Sequence, residues 1–414
     1  MITKTNRWTL VLAAAGVVSY GSFASAEEAK NQVLTALSST TLSGYVSTSA
    51  IWKLGTGDTV VGRAFDGTAK QDGFNLDVVK LSLEKPLDEA QWSAGYKIDL
   101  LFGPDSSLYN PSTSGITPGA AQDFGIKQAY VVLRAPVGNG LDFKLGTFDT
   151  CIGYEVFDLV NDPNYSRSYG YTIEPLAHTG LLASYTVAPW LGVSAGIANT
   201  WGQGVNARPG RGPFTGAGFA AATESEKTYL GLITLTAPES LGFLKGATLT
   251  AGIINGLPSA NGPTISTAAG TFTSPTDITS YYVGATAPTP LTGLSLGLSY
   301  DYRGTKGTAN YSSSYANAAS LYLLYQATEK LKFSNRSEYA TGSDGTWYAS
   351  RKAADKNNAL FGETFTVDYA LWANVTTRAE LRWDHDLAAR GAMAPFGNDD
   401  KNALSLALNV IYKF

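Results

Sequence analysis

Side chains able to carry out catalysis are sparse in this sequence. It contains two histidines and a single cysteine, which leaves little material for proton transfer, thiol chemistry or a metal site. His178 and Ser184 are the one such pair close together in sequence, but six residues along a strand would separate them by about 20 Å. Residues 202–207 match the dinucleotide pattern G-x-G-x-x-A, yet they lie in a loop and not between a strand and a helix. We expect no catalytic residues, no metal and no cofactor.

Charged and tyrosine side chains are concentrated in the segment 149–177, which has no regular hydrophobic alternation. A loop of this length is usually functional or disordered, and its tyrosines are not typical of disorder. If the loop narrows an aqueous passage, its acids would face bases on the surrounding wall, and the resulting field would orient permeating solutes. The alternative is a surface loop with ordinary solvated charges. The candidate constriction residues are Asp149, Tyr154, Glu155, Asp158, Asp162, Tyr165 and Arg167.

Six basic residues elsewhere occupy positions that would face water in the strands predicted below. Charges of this kind on a pore wall control which ions pass, so we expect loss of Arg378 and Arg382 to shift selectivity toward cations. Both signs of charge are present, and ion preference stays open. The candidate pore-wall residues are Lys97, Lys144, Lys332, Arg336, Arg378 and Arg382.

The elements that would position these residues are strands, and the last one is the clearest. Between Leu404 and Phe414, large apolar residues occupy every second position, and the intervening positions are mostly polar or small. Period-two alternation over this length indicates a strand, and the length suits a strand that crosses a membrane at a tilt. Tyr412 and Phe414 would form part of an aromatic girdle, and a terminal phenylalanine resembles the recognition signal of the outer-membrane assembly machinery.

The same alternation predicts sixteen strands, joined by seven short turns and eight long loops. Three of the segments, 73–84, 122–134 and 329–341, alternate imperfectly, so a count two higher or lower stays open. The predicted strands are 41–52, 73–84, 90–101, 122–134, 140–149, 178–188, 190–200, 226–237, 246–255, 277–287, 293–303, 317–327, 329–341, 359–370, 372–384 and 402–414.

This pattern predicts a transmembrane antiparallel up-and-down β-barrel. Mean hydropathy is −0.05, as expected when lipid-facing and water-facing residues alternate. Only closure of the sheet satisfies every backbone polar group inside lipid. A barrel of 16–18 strands leaves an aqueous channel, whereas about eight strands fill their own interior.

The N-terminus has the features of a secretory signal peptide. Lys4 and Arg7 precede a short apolar run, and Ala24-Ser25-Ala26 forms a cleavage site. We expect residues 1–26 to be removed, 27–40 to form a short periplasmic segment and 41–414 to form the barrel. Removal of Lys4 and Arg7 changes the formal net charge from −4 to −6, which disfavours nucleic acid as a partner.

Several short motifs resemble the OmpL-like β-barrel porins, the beta-barrel porin-2 family of Gram-negative outer membranes. They are Phe148-Asp149-Thr150, Gly153-Tyr154-Glu155, Asn164 to Tyr169, and His178-Thr179-Gly180. The resemblance extends from about residue 41 to the end. It implies a porin in the bacterial outer membrane without catalytic residues, and it assigns no site.

We therefore expect a water-filled channel for passive diffusion of small hydrophilic solutes or ions. The alternatives are a structural or adhesive barrel without an open pore and an outer-membrane hydrolase. Conductance in a planar bilayer distinguishes the first of these from a porin. Expected partners are outer-membrane lipid, lipopolysaccharide, the barrel-assembly machinery, the solutes themselves and, by analogy with general porins, two further copies in a homotrimer.

Overall fold

A computed structural model describes most of the predicted barrel. The described residues are 33–34, 39–55, 64–65, 70–109, 123–202, 204–209, 226–258, 266–267, 270–271, 277–306, 313–343, 346–347, 357–387, 396 and 400–414. The predicted signal peptide, 1–26, lies outside them, as does most of the segment 27–40.

Sixteen antiparallel strands form one closed sheet in which each strand pairs with its neighbours in sequence, and the last pairs with the first. The strands are β1 (Thr41–Leu54), β2 (Gly73–Lys85), β3 (Ser93–Phe102), β4 (Phe124–Ala135), β5 (Leu141–Asp149), β6 (Ala177–Ala188), β7 (Leu191–Ala198), β8 (Thr228–Thr236), β9 (Thr248–Gly256), β10 (Ile278–Pro288), β11 (Leu294–Thr305), β12 (Ser314–Gln326), β13 (Leu331–Ser343), β14 (Asn357–Trp372), β15 (Val375–Asp386) and β16 (Asn402–Lys413). The predicted fold class is confirmed, and strand ends differ from the prediction by a few residues.

The remaining elements are short. In the part of the chain that the structure describes, one α-helix, α1 (Tyr169–Ile173), and three 3-10 helices, Pro104–Tyr109, Leu159–Asn161 and Glu239–Leu244, lie between strands. Two-residue strands occur at Val33–Leu34, Ser266–Thr267 and Gly270–Thr271. No helix in the described part of the chain has the length and apolarity needed to cross a bilayer.

The two faces of the strands differ as the alternation predicts. On β11, Leu298 and Tyr300 point outward and are exposed, whereas Asp301 and Arg303 point inward and are buried. Outward side chains of the other strands are mostly Leu, Val, Ile and aromatic residues. The barrel therefore presents an apolar surface to lipid and a polar surface to its lumen.

The chain closes the barrel at Gly44. The backbones of Gly44 and Phe414 exchange two hydrogen bonds of 2.9 and 3.0 Å. The Phe414 ring lies over Gly44, where a Cβ would be 2.7 Å from the ring and 2.1 Å from the carbonyl oxygen of Lys80. Glycine at this position is required by the close approach of both neighbouring strands.

We predict that Gly44→Ala destabilises the barrel by about 1–3 kcal/mol, because the added methyl group forces the strands apart. The measurement is the temperature at which the folded band converts to the unfolded band in gel electrophoresis. Thr48→Ala, at an exposed outward position of the same strand, is the control and should change this temperature less. Equal changes in the two variants would contradict the role given to Gly44.

Candidate pore constriction

The loop between β5 and β6, residues 150–176, folds into the lumen. It contacts β2 through Asp158 and Lys80, β13 through Glu155 and Arg336, and β15 through Arg378. Short local elements give it a defined shape, because the Ser168 side chain caps α1 by accepting a hydrogen bond from the Tyr171 amide. A loop held on several sides of the barrel narrows the lumen.

Inward arginines of β13 and β15 bind carbonyl oxygens of this loop. Arg336 donates to the carbonyl oxygen of Ser166 and to Glu155 Oε1, both at 2.7 Å. Arg382 donates to the carbonyl oxygen of Arg167 at 2.8 Å, and Arg378 to those of Asp162 and Asn164 at 2.8 and 2.9 Å. Such charge-assisted hydrogen bonds are among the stronger ones in proteins.

Acids of the same two strands bind the amides of the loop. The Glu380 carboxylate accepts hydrogen bonds from the amides of Tyr165 and Ser166 at 2.6 and 3.0 Å. Glu338 on β13 accepts one from the Tyr169 amide at 2.7 Å. Neither acid is among the site residues predicted from the sequence, although Glu380 shares the inward phase of Arg378 and Arg382. That shared phase was the signal that could have found it.

Two lysines of the wall, on β2 and β4, form ion pairs with acids at the edge of the loop near Asp158 and at the end of β5. Lys80 Nζ lies 2.8 Å from Asp158 Oδ2 and 3.2 Å from Asp99 Oδ2, and Lys127 pairs with Asp149. Sequence reasoning missed both lysines. Lys127 lies at a register irregularity between β3 and β4, where Ile126 and Gln128 pair with consecutive residues of β3 and Lys127 is left without a partner in the register. Simple alternation along β4 therefore cannot predict which way its side chain points.

The first residues of the loop pack on an apolar part of the wall. Cys151, Ile152 and Tyr154 belong to one buried cluster with Leu230 of β8 and further apolar residues of β9, β10 and β12. The ring of Tyr154 stacks on Tyr322, with centroids 4.2 Å apart. Burial of these side chains holds the beginning of the loop without charge.

Solvent reaches the loop along one edge. Within residues 151–176, only Val156, Asp158 and Val160 are partly exposed and only Asn161 is exposed. Some inward side chains of the facing wall, β3 to β6, are also partly exposed. Among them are Lys97, Tyr130, Lys144 and Ser184. The water-accessible part of the lumen at this level therefore lies between that wall and the edge 156–161.

The three predicted wall arginines are buried, although their strand positions led us to expect them to face water. Arg336 and Arg382 are 0% exposed and Arg378 is 4% exposed, because the loop covers them. Their charges are met by direct contact with Glu155, Asp384 and Asp368, respectively. Lys332, also on β13, points inward and remains partly exposed. These three arginines therefore point inward as predicted but do not contact open water, since the alternation that placed them inward does not reveal what covers them. Their part in a transverse field between loop acids and wall bases stays a prediction.

The remaining candidate residues lie inside the loop. The Tyr165 hydroxyl donates to Asp77 Oδ1 at 2.9 Å and lies 2.9 Å from Ser49 Oγ. Arg167 lies 3.0 Å from Asp162 Oδ2 and donates to the carbonyl oxygen of Phe157 at 2.5 Å. These side chains are buried, so they shape the loop and do not contact bulk water.

His178 and Ser184 have separate partners. The imidazole of His178 lies 3.2 Å from the Thr150 hydroxyl and is buried, and the Ser184 hydroxyl lies 2.8 Å from that of Ser194. Nothing in this arrangement activates a nucleophile.

Glu174 is a titratable group at the end of the loop. It is buried and forms a hydrogen bond with Asp301 of β11. Its carboxyl fills the space beside Gly153, where a Cβ would lie 2.2 Å from Glu174 Oε2. Burial first, and then the nearby carboxyl groups of Asp301, Glu155 and Asp162, raise the pKa of Glu174 well above its usual value.

A closed sixteen-strand barrel with a loop inserted into a partly water-accessible lumen is the architecture of a porin-type outer-membrane channel. The family model described as "Putative beta-barrel porin-2, OmpL-like" matches residues 39–414, and the chain belongs to this family. It is a bacterial outer-membrane channel for passive diffusion. No curated protein matches the chain.

Solved structures of outer-membrane proteins share this fold. The channel DcaP of Acinetobacter baumannii is 14% identical, with a TM-score of 0.58 over 91% of this chain and 97% of that chain. The anion-selective porin from Comamonas acidovorans is 12% identical, with a TM-score of 0.55 over 91% and 99%. The trimer form of OmpT from Vibrio cholerae is 12% identical, with a TM-score of 0.53 over 91% and 99%. At these identities the likeness shows the fold alone.

We predict that replacing Arg378 and Arg382 together by Gln loosens the loop, because breaking a buried ion pair costs about 3–5 kcal/mol. Single-channel recording should show larger or fluctuating currents. Arg134→Gln is the control, since Arg134 is buried on the inward wall and pairs with Asp142, away from the loop. A pure change in ion selectivity at constant conductance would contradict this prediction and place both arginines in open water.

A second prediction concerns pH. Because the docked loop raises the pKa of Glu174, docking is stabilised below the ordinary glutamate pKa, and this stabilisation is lost as the pH rises through the raised value. Proteolytic cleavage within 150–176 should increase as the pH rises above the ordinary glutamate pKa of about 4.3. Glu174→Gln should remove this dependence, whereas Glu239→Gln, at an exposed turn, should keep it. Equal pH dependence in all three proteins would assign the effect to another group.

Proposed function

We propose that small hydrophilic solutes and ions diffuse past the loop 150–176 through the part of the lumen between its edge 156–161 and the wall of β3 to β6. The observation that carries this proposal is that the exposed residues of the loop lie at its edge 156–161 and that inward side chains of β3 to β6 are partly exposed on the facing wall. The loop is the constriction of the channel.

In this proposal the candidate residues have two roles. Asp158 lies at the exposed edge and acts directly on passing solutes. The buried residues keep the loop in place, either from within it or from the wall. They are Tyr154, Glu155, Asp162, Tyr165 and Arg167 in the loop and Arg336, Arg378 and Arg382 on the wall.

The charge along the proposed route favours anions weakly. Lys97 pairs with Glu84 at 2.9 Å, and both side chains are partly exposed. Lys144 lies over the Tyr130 ring, 5.2 Å from its centroid, and no carboxylate of the described residues forms an ion pair with it. A partly exposed lysine without a counter-ion lowers the energy of an anion near it.

A structural barrel closed to solutes is the competing function. The close packing of the loop against β8 to β16 and β1 to β2 favours it, because little of the loop surface remains wet. A barrel that holds no open passage would give no stepwise currents in a planar bilayer.

The proposal also covers biogenesis and assembly. The chain would be exported with cleavage after Ala26, and Tyr412 and Phe414 would serve as the signal read by the barrel-assembly machinery. Its apolar outer face would contact lipid and lipopolysaccharide. Several copies would assemble, as in the trimer form of OmpT. The fold and family support a non-enzymatic channel.

We predict that Lys144→Gln shifts the reversal potential in a salt gradient toward cation preference, because it removes a cationic side chain from the route. Lys245→Gln removes a lysine of 61% exposure from a turn outside the lumen and should leave the potential unchanged. Unchanged potentials in both variants would exclude the wall of β3 to β6 as the route, while conduction itself would still support a channel.

A further inference from the structure

One acidic residue interrupts the apolar outer face of the barrel. Among the described strands, Glu363 on β14 is the only acidic or cationic side chain that points outward away from a strand end; Lys85 points outward at the end of β2. Its outward neighbours along β14 are Phe361 and Phe365. The alternation of the sequence places a leucine, valine or aromatic residue at most comparable positions.

Glu363 lies within the height of the hydrocarbon layer. Tyr369, six residues along β14 toward the short turn to β15, points outward and is exposed. Six strand residues measure about 20 Å, or roughly 15 Å along the membrane normal for a strand tilted by about 40°. The apolar band of such barrels is about 25 Å tall. A charged side chain at that depth is costly when it faces lipid.

The polar neighbours of Glu363 form a small patch. Asn335 of β13 donates from Nδ2 to Glu363 Oε1 at 2.5 Å, and Ser337 stands opposite Glu363 in the register of β13 and β14. All three residues are partly exposed. No described side chain donates to Glu363 Oε2. The patch thus offers unused acceptors and a hydroxyl donor toward the outside.

Aromatic side chains surround this patch. Phe333 stacks with Phe365 at 6.2 Å between centroids, and Phe361 packs edge-on against Trp383 at 5.9 Å. Aromatic residues are enriched at protein interfaces. Lipid offers no hydrogen-bond partner at this depth, whereas a protein surface does.

We propose that the outward face of β13 to β15 binds a second copy of this chain, with Glu363 at the centre of the interface. The face is complementary to itself, because each copy supplies an unused acceptor in Glu363 Oε2 and a donor in the Ser337 hydroxyl. The Asn335 amide already donates within its own copy, to Glu363 Oε1 and to the Thr364 carbonyl oxygen. Polar side chains that pair between membrane segments commonly stabilise their association. This inference rests on the proposed assembly of several copies and is independent of the proposed solute route.

The test is cross-linking of full-length protein in lipid nanodiscs. In a Cys151→Ala background, Ser337→Cys should give cross-linked dimers with a short bis-maleimide. Ala251→Cys, at an exposed outward position of β9, is the matched control and should give none. Cross-linking from Ala251→Cys alone would overturn the interface, as would cross-linking from neither variant.

Light scattering of the nanodiscs distinguishes failure of the proposed assembly from failure of the proposed interface. Monomers in nanodiscs would overturn both the assembly and the interface, whereas oligomers that cross-link only through Ala251→Cys would overturn the interface alone. Glu363→Leu provides a second measurement. If Glu363 lies in the interface, this variant should increase the monomer–oligomer dissociation constant about tenfold while the barrel stays folded. An unchanged or smaller dissociation constant would show that Glu363 faces lipid.

Discussion

The backbone of the loop 150–176 depends on hydrogen bonds from charged side chains of the barrel wall. Inside the lumen its amide and carbonyl groups are shielded from water, and buried backbone groups without partners are costly. Glu338 and Glu380 accept from loop amides, and Arg336, Arg378 and Arg382 donate to loop carbonyl oxygens. The charges of the wall are in turn compensated by these contacts. Neither the loop nor the wall has a stable arrangement here without the other.

The position of the proposed constriction follows from differences between the parts of the wall. Charged strands β13 to β15 hold the middle of the loop, and an apolar cluster that includes Leu230 holds its beginning. Lys80 and Lys127 hold the edge near Asp158. The wall of β3 to β6 makes fewer of these contacts, so solvent remains there. A sixteen-strand barrel is wide enough to contain both a folded loop and this passage.

The sequence predicted the fold well because period-two alternation determines which face of a strand meets lipid. It predicted the inward direction of Arg336, but not its burial, because alternation does not show that a distant loop covers it. Lys127 was missed because a register irregularity changes the phase of β4. The inward phase of Glu380 could have been found from the alternation, but its role could not, because its partners are backbone amides of the loop, which have no signature in the sequence.

The most direct test of this account is hydrogen–deuterium exchange of the folded protein in nanodiscs. The amides of Tyr165, Ser166 and Tyr169 are bonded to buried carboxylates, so peptides that cover them should exchange slowly. Peptides from the exposed turn 238–246 provide the reference for fast exchange. Equal, fast exchange in the two regions would show that the wall does not hold the loop, and the constriction described above would not exist.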